Sequence, residues 1–344
     1  MNASELLRYR LASQQISASK FVSSGEAARW MGIIQAQDFA GGKWALALRT
    51  QQATEVMIEQ AIADRSLIRT WSARGTLHFM APEDVHWVND LIRPRLLASL
   101  QTHHRRDGLD DGQALKGLNV LSSLLAEPVK RTALKTQLEQ SGFSCEGLRF
   151  NHLLVRAAIE GLICLGPREG KEFTYVLRDE WISGKHIKTR EEALAEWAFR
   201  YFTSHGPATI ADFAWWSGLT MNEAKMGLAS VEPELARIIF NHETYWMSPK
   251  MEPAPAHTVH LLPSFDEFLL GYRDRSLALA KEHLFSVVGS NNGLFKPIIV
   301  KNGQVIGIWK RVMIKKEYQI ETRFFDGKEV NIKDAIQAVL TYAN

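Results

Sequence analysis

LRFNHLLVRAAIEGLICLGPREGKEFTYVL, residues 148–177, decides the fold. Leu148 to Glu160 reads as a helix stopped by Gly161, and two strand-like runs follow, Leu162 to Leu165 and Phe173 to Leu177, joined across the polar tip Arg168-Glu169-Gly170-Lys171. Another helix, Thr132 to Gln140, precedes them and is stopped by Ser141-Gly142. Two helices followed by a hairpin make a winged helix.

The same pattern lies on both sides. Upstream, Ser4 to Ile16 reads as an amphipathic helix, Ser24 caps a second helix running to about Ile34, and Thr54 caps a third through Ala63. Leu67 to Trp71 and Thr76 to Met80 then form a hairpin around Ala73-Arg74-Gly75. Downstream, a helix from Glu191 to Thr203 is followed, after Gly206-Pro207, by helices Thr209 to Trp216 and Thr220 to Ala229 broken at Gly218. Arg237 to Phe240 and Thr244 to Met247 make the third hairpin around Asn241-His242. Beyond the proline-rich linker Pro249 to Pro255, Asn302-Gly303 marks a type I′ hairpin within Pro297 to Trp309, Tyr318 to Phe325 is strand-like, and Ile332 to Tyr342 closes the chain as a helix. We therefore expect an α+β protein of three tandem winged-helix units, 1–126, 127–187 and 188–248, with a β-rich closing segment, 249–344.

Composition narrows the class. With 344 residues, 46% hydrophobic and 23% charged, the chain has the makeup of an ordinary globular protein. No uninterrupted apolar run reaches the roughly 18 residues needed to cross a bilayer, since Arg156 and Glu160 interrupt the best candidate. Met1 to Glu5 lacks the basic and apolar regions of a secretory leader, so a cytoplasmic location is expected. Cys145 and Cys164 fit no zinc spacing and read as small core residues, so neither metal nor cofactor is expected. The absence of Gly-x-Ser-x-Gly, Gly-x-Gly-x-x-Gly, Walker and His-Glu-x-x-His motifs argues against acyl-transfer, nucleotide and metalloprotease sites. A net charge of +3 permits a polyanionic partner without demanding one. Clustering is more informative: Arg93, Arg95, His103, His104, Arg105 and Arg106 form one basic stretch, and Lys301, Lys310, Arg311, Lys315 and Lys316 another.

Four motifs carry a resemblance to a known family: Ile34-Gln35-Ala36-Gln37-Asp38, Arg74-Gly75-Thr76-Leu77-His78, the long run from Leu262 to Arg275, and Gly293-Leu294-Phe295-Lys296-Pro297. The chain resembles the AlkZ-like (YcaQ/AlkZ) winged-helix DNA glycosylases, bacterial proteins associated with unhooking interstrand crosslinks and with self-resistance to DNA-alkylating antibiotics. The resemblance implies three tandem winged helices forming a concave DNA-binding surface and a catalytic pair spaced Gln-x-Gln or Gln-x-Asp; since three tandem units in one chain need no dimer, a monomer on double-stranded DNA is expected. Gln35 and Gln37 fill the Gln-x-Gln version. Taken alone, these glutamines read first as a polar helix end that satisfies backbone groups before the Gly41-Gly42 break.

A neutral amide cannot act as an ordinary general base near pH 7. Two glutamines suffice only for an easy leaving group, which a purine made cationic by alkylation at N7 or N3 provides, because it departs neutral without being protonated. The remaining work is to position water and to set amide oxygens near the developing oxocarbenium ion. Asp38 is a possible accessory carboxylate, although solvent exposure is the commoner fate of such a residue. For DNA contact the candidates are Arg74, His78, Arg105, Arg106, Arg168, Lys171, Lys301, Lys310 and Arg311, with His78 also readable as a satisfied core histidine. Trp44 and Trp215-Trp216 read as core, or as a stacking surface for an extruded base. Phe265 to Tyr272 reads as a packing segment in which Asp266 pairs with Arg273. The alternative function is a non-catalytic winged-helix DNA-binding protein or transcription regulator.

Overall fold

The computed structural model describes residues 1–17, 20–289, 293–315, 317–327 and 329–343, so Lys316 of the second basic stretch lies outside the described residues. The chain divides into two units, Glu59–Ala193 and the pairing of Met1–Ile58 with Leu194–Asn344.

In Glu59–Ala193, the hairpin strands Ile68–Trp71 and Leu77–Met80 form where expected, and so do Ile163–Glu169 and Glu172–Leu177. These hairpins join edge to edge through Arg69 opposite Leu165, and Val129–Lys130 adds a further antiparallel strand against Glu172–Leu177. Helices Asp111–Leu124, Arg131–Gln140 and Arg149–Ile159 supply Leu118, Leu121, Leu134, Leu138, Leu153 and Leu154 to one buried cluster. Gly117 permits their close approach, since a Cβ there would lie 2.7 Å from Leu153 and 2.8 Å from Phe143. Helix Pro82–Arg106 runs 25 residues, with Pro94 inside it. Cys164 sits fully buried, and burial pushes its thiol up to about 12, as expected for an inert core cysteine.

In the other unit, helices Arg190–His205 (from Leu194), Ile210–Ser217 and Met221–Val231 bury Trp197, Tyr201, Phe202, Phe213 and Trp216 completely. Thr209 and Thr220 cap the last two helices through reciprocal boxes with Asp212 and Glu223. Gly218 ends the first of them at φ +73°. The hairpin Ala236–Phe240/Glu243–Met247 turns at Asn241 and His242, both at positive φ as a type I′ turn requires. A four-stranded antiparallel sheet follows, in the order Glu317–Phe324, Gln304–Ile314, Ile298–Lys301, Val259–Leu262, and helix Lys333–Ala343 packs on its last strand.

Several expectations are revised. The second helix is Ser24–Met31, capped by Ser23 rather than Ser24, and it ends three residues before Ile34 because Gly32 turns the chain at φ +76°. Gly41-Gly42 is not a break: both lie inside helix Phe39–Leu48. Two glycines lower helix propensity, but a Cβ at Gly41 would sit 2.7 Å from Asp38 Oδ2 and 3.0 Å from Ser264 Oγ, so close packing requires the glycine. The Asn302-Gly303 turn forms as expected but is enclosed rather than open to solvent. Gly303 is buried against Leu7, and Asn302 N–H donates to Thr258 O at 3.0 Å. Trp215 is 45% exposed, unlike its neighbour, because the helix turns it away from the buried face that Trp216 occupies.

His104 is also removed from its basic stretch. It is buried 4.8 Å from the His152 ring, which in turn bonds Asp107 at 2.7 Å. Burial, with the nearby His152 and Arg156, lowers its pKa to about 4. In the other unit burial and Lys20 lower His260 likewise to about 4. Below about pH 6.5 the unfolded chain takes up protons at both sites that the folded chain refuses, so stability rises with pH through this window. We expect the urea midpoint to fall progressively between pH 6.5 and 4, and a His104→Gln variant to lose part of that slope. An equal slope in the variant would remove His104 from the account.

Candidate active site

The segment carrying Gln35 and Gln37 is short and tightly bounded. Ile34–Gln35 is extended, and Asp38 then caps the next helix, its Oδ1 accepting from Gly41 N at 3.1 Å. Asp38 is half-buried and not simply solvated, because Ser264 Oγ also donates to its Oδ2. Gln37 is exposed, whereas Gln35 is only 8% exposed. The Gln35 side-chain Oε1 is buried and accepts no hydrogen bond from the protein, and its backbone N–H donates to Glu267 Oε1 at 3.0 Å.

Glu267 is fully buried at the start of helix Glu267–Leu270, inside the motif first read as apolar packing. Its Oε2 accepts from Trp216 Nε1 at 3.1 Å and lies 3.8 Å from His205 Nε2. Burial pushes the His205 pKa down against the opposing pull of Glu267, and Tyr201 stacks on the ring at 4.8 Å. Beside Glu267, Asp266 takes both guanidinium nitrogens of Arg49, at 2.9 and 3.0 Å, and caps Phe268 N at 2.9 Å. The expected Asp266–Arg273 pair therefore does not form: Arg273 is exposed, and its backbone N–H donates to Asp212 Oδ1 at 2.9 Å.

The network extends further inward. Arg49 donates to Gln14 Oε1 at 2.9 Å, and Gln14 Nε2 donates to Tyr272 Oη at 3.1 Å and to the Glu267 carbonyl at 3.3 Å. Tyr272 Oη donates to His205 O at 2.6 Å, and Arg10 lies 3.6 Å above the Tyr272 ring. A buried charge must be paired and hydrogen-bonded to be tolerated, so these contacts explain how the carboxylates stay inside. Reasoning from sequence overlooked Glu267 and Arg49 and gave Asp266 the wrong partner. The available signal was two adjacent carboxylates inside an otherwise apolar run, together with an arginine ending an apolar helix.

The cations proposed for DNA contact are distributed over both units. In Glu59–Ala193, Arg74 sits in the hairpin turn at φ +59° and its Nη2 is 3.5 Å from His78 Nε2. His78 is completely buried, with Nδ1 3.0 Å from Thr76 O, so it cannot touch DNA in this conformation. Alternation along Leu77–Met80 does not rescue it, because all four residues of that strand are buried. Arg105 and Arg106 are exposed beside Asp111 (3.5 Å) and Asp107 (3.3 Å), Arg168 meets Glu59 at 2.9 Å, and Lys171 is exposed. In the other unit Lys301 is half-buried, Lys310 meets Glu321 at 2.8 Å, and Arg311 is 3.9 Å from Glu55 and stacks over Tyr318. Ion pairs this exposed are worth at most about 1 kcal/mol, which a phosphate can outbid. Among the described residues no group of three or more His, Cys, Asp or Glu side chains is placed to hold a metal ion, and no helix is long and apolar enough to cross a membrane.

Removing the Glu267 carboxylate strands the Gln35 N–H and the Trp216 indole N–H, at about 1–3 kcal/mol for each buried donor. Glu267→Ala should therefore lose roughly 2–6 kcal/mol in urea denaturation, and Glu267→Gln, which keeps an acceptor, distinctly less. Equal losses would mean that shape and not hydrogen bonding is what Glu267 supplies.

A family model described as "DNA glycosylase AlkZ-like" matches residues 28–340. An interstrand DNA cross-link repair glycosylase of Streptomyces sahachiroi is 26% identical over 328 residues, covering 87% of this chain and 84% of that protein. The solved structure of the Streptomyces sahachiroi DNA glycosylase AlkZ superposes with a TM-score of 0.82 at 22% identity, over 99% of this chain and 96% of that one, and so shares its fold. With a match running from within the second helix to the closing helix, the chain belongs to the AlkZ-like DNA glycosylase family.

Proposed function

We propose that this protein is a DNA glycosylase that hydrolyses the N-glycosidic bond of purines made cationic by alkylation at N7 or N3, and that it unhooks interstrand crosslinks built on such purines. The family match over residues 28–340 carries the glycosylase reading. The Streptomyces relative named for cross-link repair supports the second part. A non-catalytic regulator is not favoured by that family. We further propose that the three helix-and-hairpin segments, 1–126, 127–187 and 188–248, act as winged-helix units closed by 249–344, and that a monomer in the cytoplasm engages double-stranded DNA through Arg74, Arg105, Arg106, Arg168, Lys171, Lys301, Lys310 and Arg311.

Gln35 and Gln37 are the proposed catalytic pair. Supporting this is the buried Gln35 amide oxygen that accepts no hydrogen bond from the protein, on a backbone held by Glu267. An amide dipole held in place in a poorly solvated site stabilises a nearby developing cation without reorganising. Gln37, two residues on and exposed, is the member that can hold water. Neither side chain can protonate a leaving group, so the charge must already reside on the base. Asp38, committed to Gly41 and Ser264, acts as a cap before it acts as an acid.

Gln35→Ala and Gln37→Ala should each reduce single-turnover release of N7-methylguanine from duplex DNA by about tenfold to a thousandfold, with little change in DNA affinity. Full excision by the double variant would end this assignment. Selectivity should follow leaving-group charge. N7-methylguanine and N3-methyladenine should be released under conditions where uracil and hypoxanthine are retained, read as alkali-labile sites on matched duplexes. Efficient uracil release would reveal a general acid, and the two-glutamine mechanism would fall.

A further inference from the structure

Three aromatic rings and an arginine make a ledge on the unit that carries Gln35 and Gln37. Trp215 is 45% exposed, and Phe265 and Phe295 are half-buried with ring centroids 5.7 Å apart. The Arg275 guanidinium joins the two sides, 5.3 Å from the Phe295 centroid and 5.7 Å from that of Trp215, and its Nε donates to Leu269 O at 2.8 Å. Phe265 stands at φ +60°, an outlier for a bulky side chain that persists only where the surroundings over-determine it. Both of its neighbours are committed: Ser264 donates to Asp38, and Asp266 takes Arg49. The ring between them is left partly open to solvent, against Phe295.

The ledge is tied to the glutamine segment at both ends. Phe265 follows Ser264, the donor to Asp38, and Trp215 precedes Trp216, whose indole shares Glu267 with the Gln35 N–H. Outside the buried network its charge is positive. Arg273 and Lys296, beside Arg275 and Phe295 in the chain, are both exposed. Against these three cations stand two carboxylates already accepting hydrogen bonds: Asp274 from Ser276 N–H and Oγ–H at 2.9 and 3.0 Å, and Asp38 from Gly41 and Ser264. That balance disfavours a cationic lesion and favours a neutral base carried on phosphates. Open aromatic faces interleaved with cations stack nucleobases while neutralising the backbone, and a guanidinium plane stacks as a ring does. A base inside an intact duplex has both faces covered, so the ledge can take only one that has lost its partner. Hydrolysis of an N-glycosidic bond leaves an abasic site, and the base across from it is then the cheapest to swing out.

We propose that Trp215, Phe265, Phe295 and Arg275 form a stacking site for an unmodified, uncharged nucleobase, the one left unpaired opposite the abasic product. The occupant rests on the glycosylase reading, but the test needs no catalysis. Fluorescence anisotropy of the full chain is measured on three duplexes that differ at a single position: a guanine–cytosine pair, a cytosine opposite a tetrahydrofuran abasic analogue, and the analogue on both strands. The second should bind most tightly. Trp215→Ala and Phe295→Ala should each weaken it by about 5- to 150-fold, the range for one lost base–aromatic stack, and leave the third unchanged. Trp215→Phe, which keeps a ring, should retain most of the affinity. Because Trp215 lies partly in solvent, its replacement leaves the core in place and decides the matter if Phe295→Ala does not fold. The proposal is overturned if the unaltered protein does not prefer the second duplex to the third. It is equally overturned if Trp215→Ala weakens all three alike or changes none, which would leave the rings to another occupant such as a protein segment. Excision of N7-methylguanine by the unaltered protein is followed in parallel: its absence would count against the glycosylase reading, whatever base the ledge prefers.

Discussion

Two adjacent carboxylates in the interior, Asp266 and Glu267, impose the constraint around which the larger unit is arranged. Taking a charge out of water costs several kcal/mol even after relaxation, and the protein offsets this by surrounding each one with donors. Asp266 receives the bidentate Arg49, and Glu267 receives the indole of Trp216 and the backbone of Gln35. Arg49 and Gln35 each lie more than 200 residues along the chain from the carboxylate they meet. The pairing therefore ties the N-terminal helices to the C-terminal motif in one register.

Such an arrangement adds little net stability over apolar packing of the same shape, but it tolerates few alternatives. A slipped register would leave a buried ion or indole unpaired. The geometry passes directly to the candidate site, because the residue whose backbone Glu267 holds is Gln35. The Glu267 carboxylate thus helps to fix the backbone from which the Gln35 side chain extends. Electrostatic stabilisation by neutral dipoles depends on such fixed orientation, since a dipole that must turn at the moment of reaction loses most of its effect.

Burial acts on the histidines as well. His205 beside Glu267, His104 in the smaller unit and His260 on the sheet are all held below their ordinary pKa, in each case chiefly by burial.

The sequence by itself determined most of the elements. Hairpin turns with positive φ at Asn241-His242 and Asn302-Gly303, threonine caps at Thr209 and Thr220, and glycine stops at Gly161 and Gly218 are local chemistry, set by one or two residues and legible without the fold. The glutamine pair was legible too, as a motif. Only the tertiary structure decided what surrounds it. That Gly41-Gly42 continues a helix, that His78 is enclosed, that Asp266 takes Arg49 in place of Arg273, and that Gln35 is buried while Gln37 is exposed all depend on partners distant in the chain or on how an element's faces are covered. Local propensities amount to fractions of a kcal/mol per residue, whereas an unmatched buried charge amounts to several, so the long-range pairing prevails wherever the two disagree.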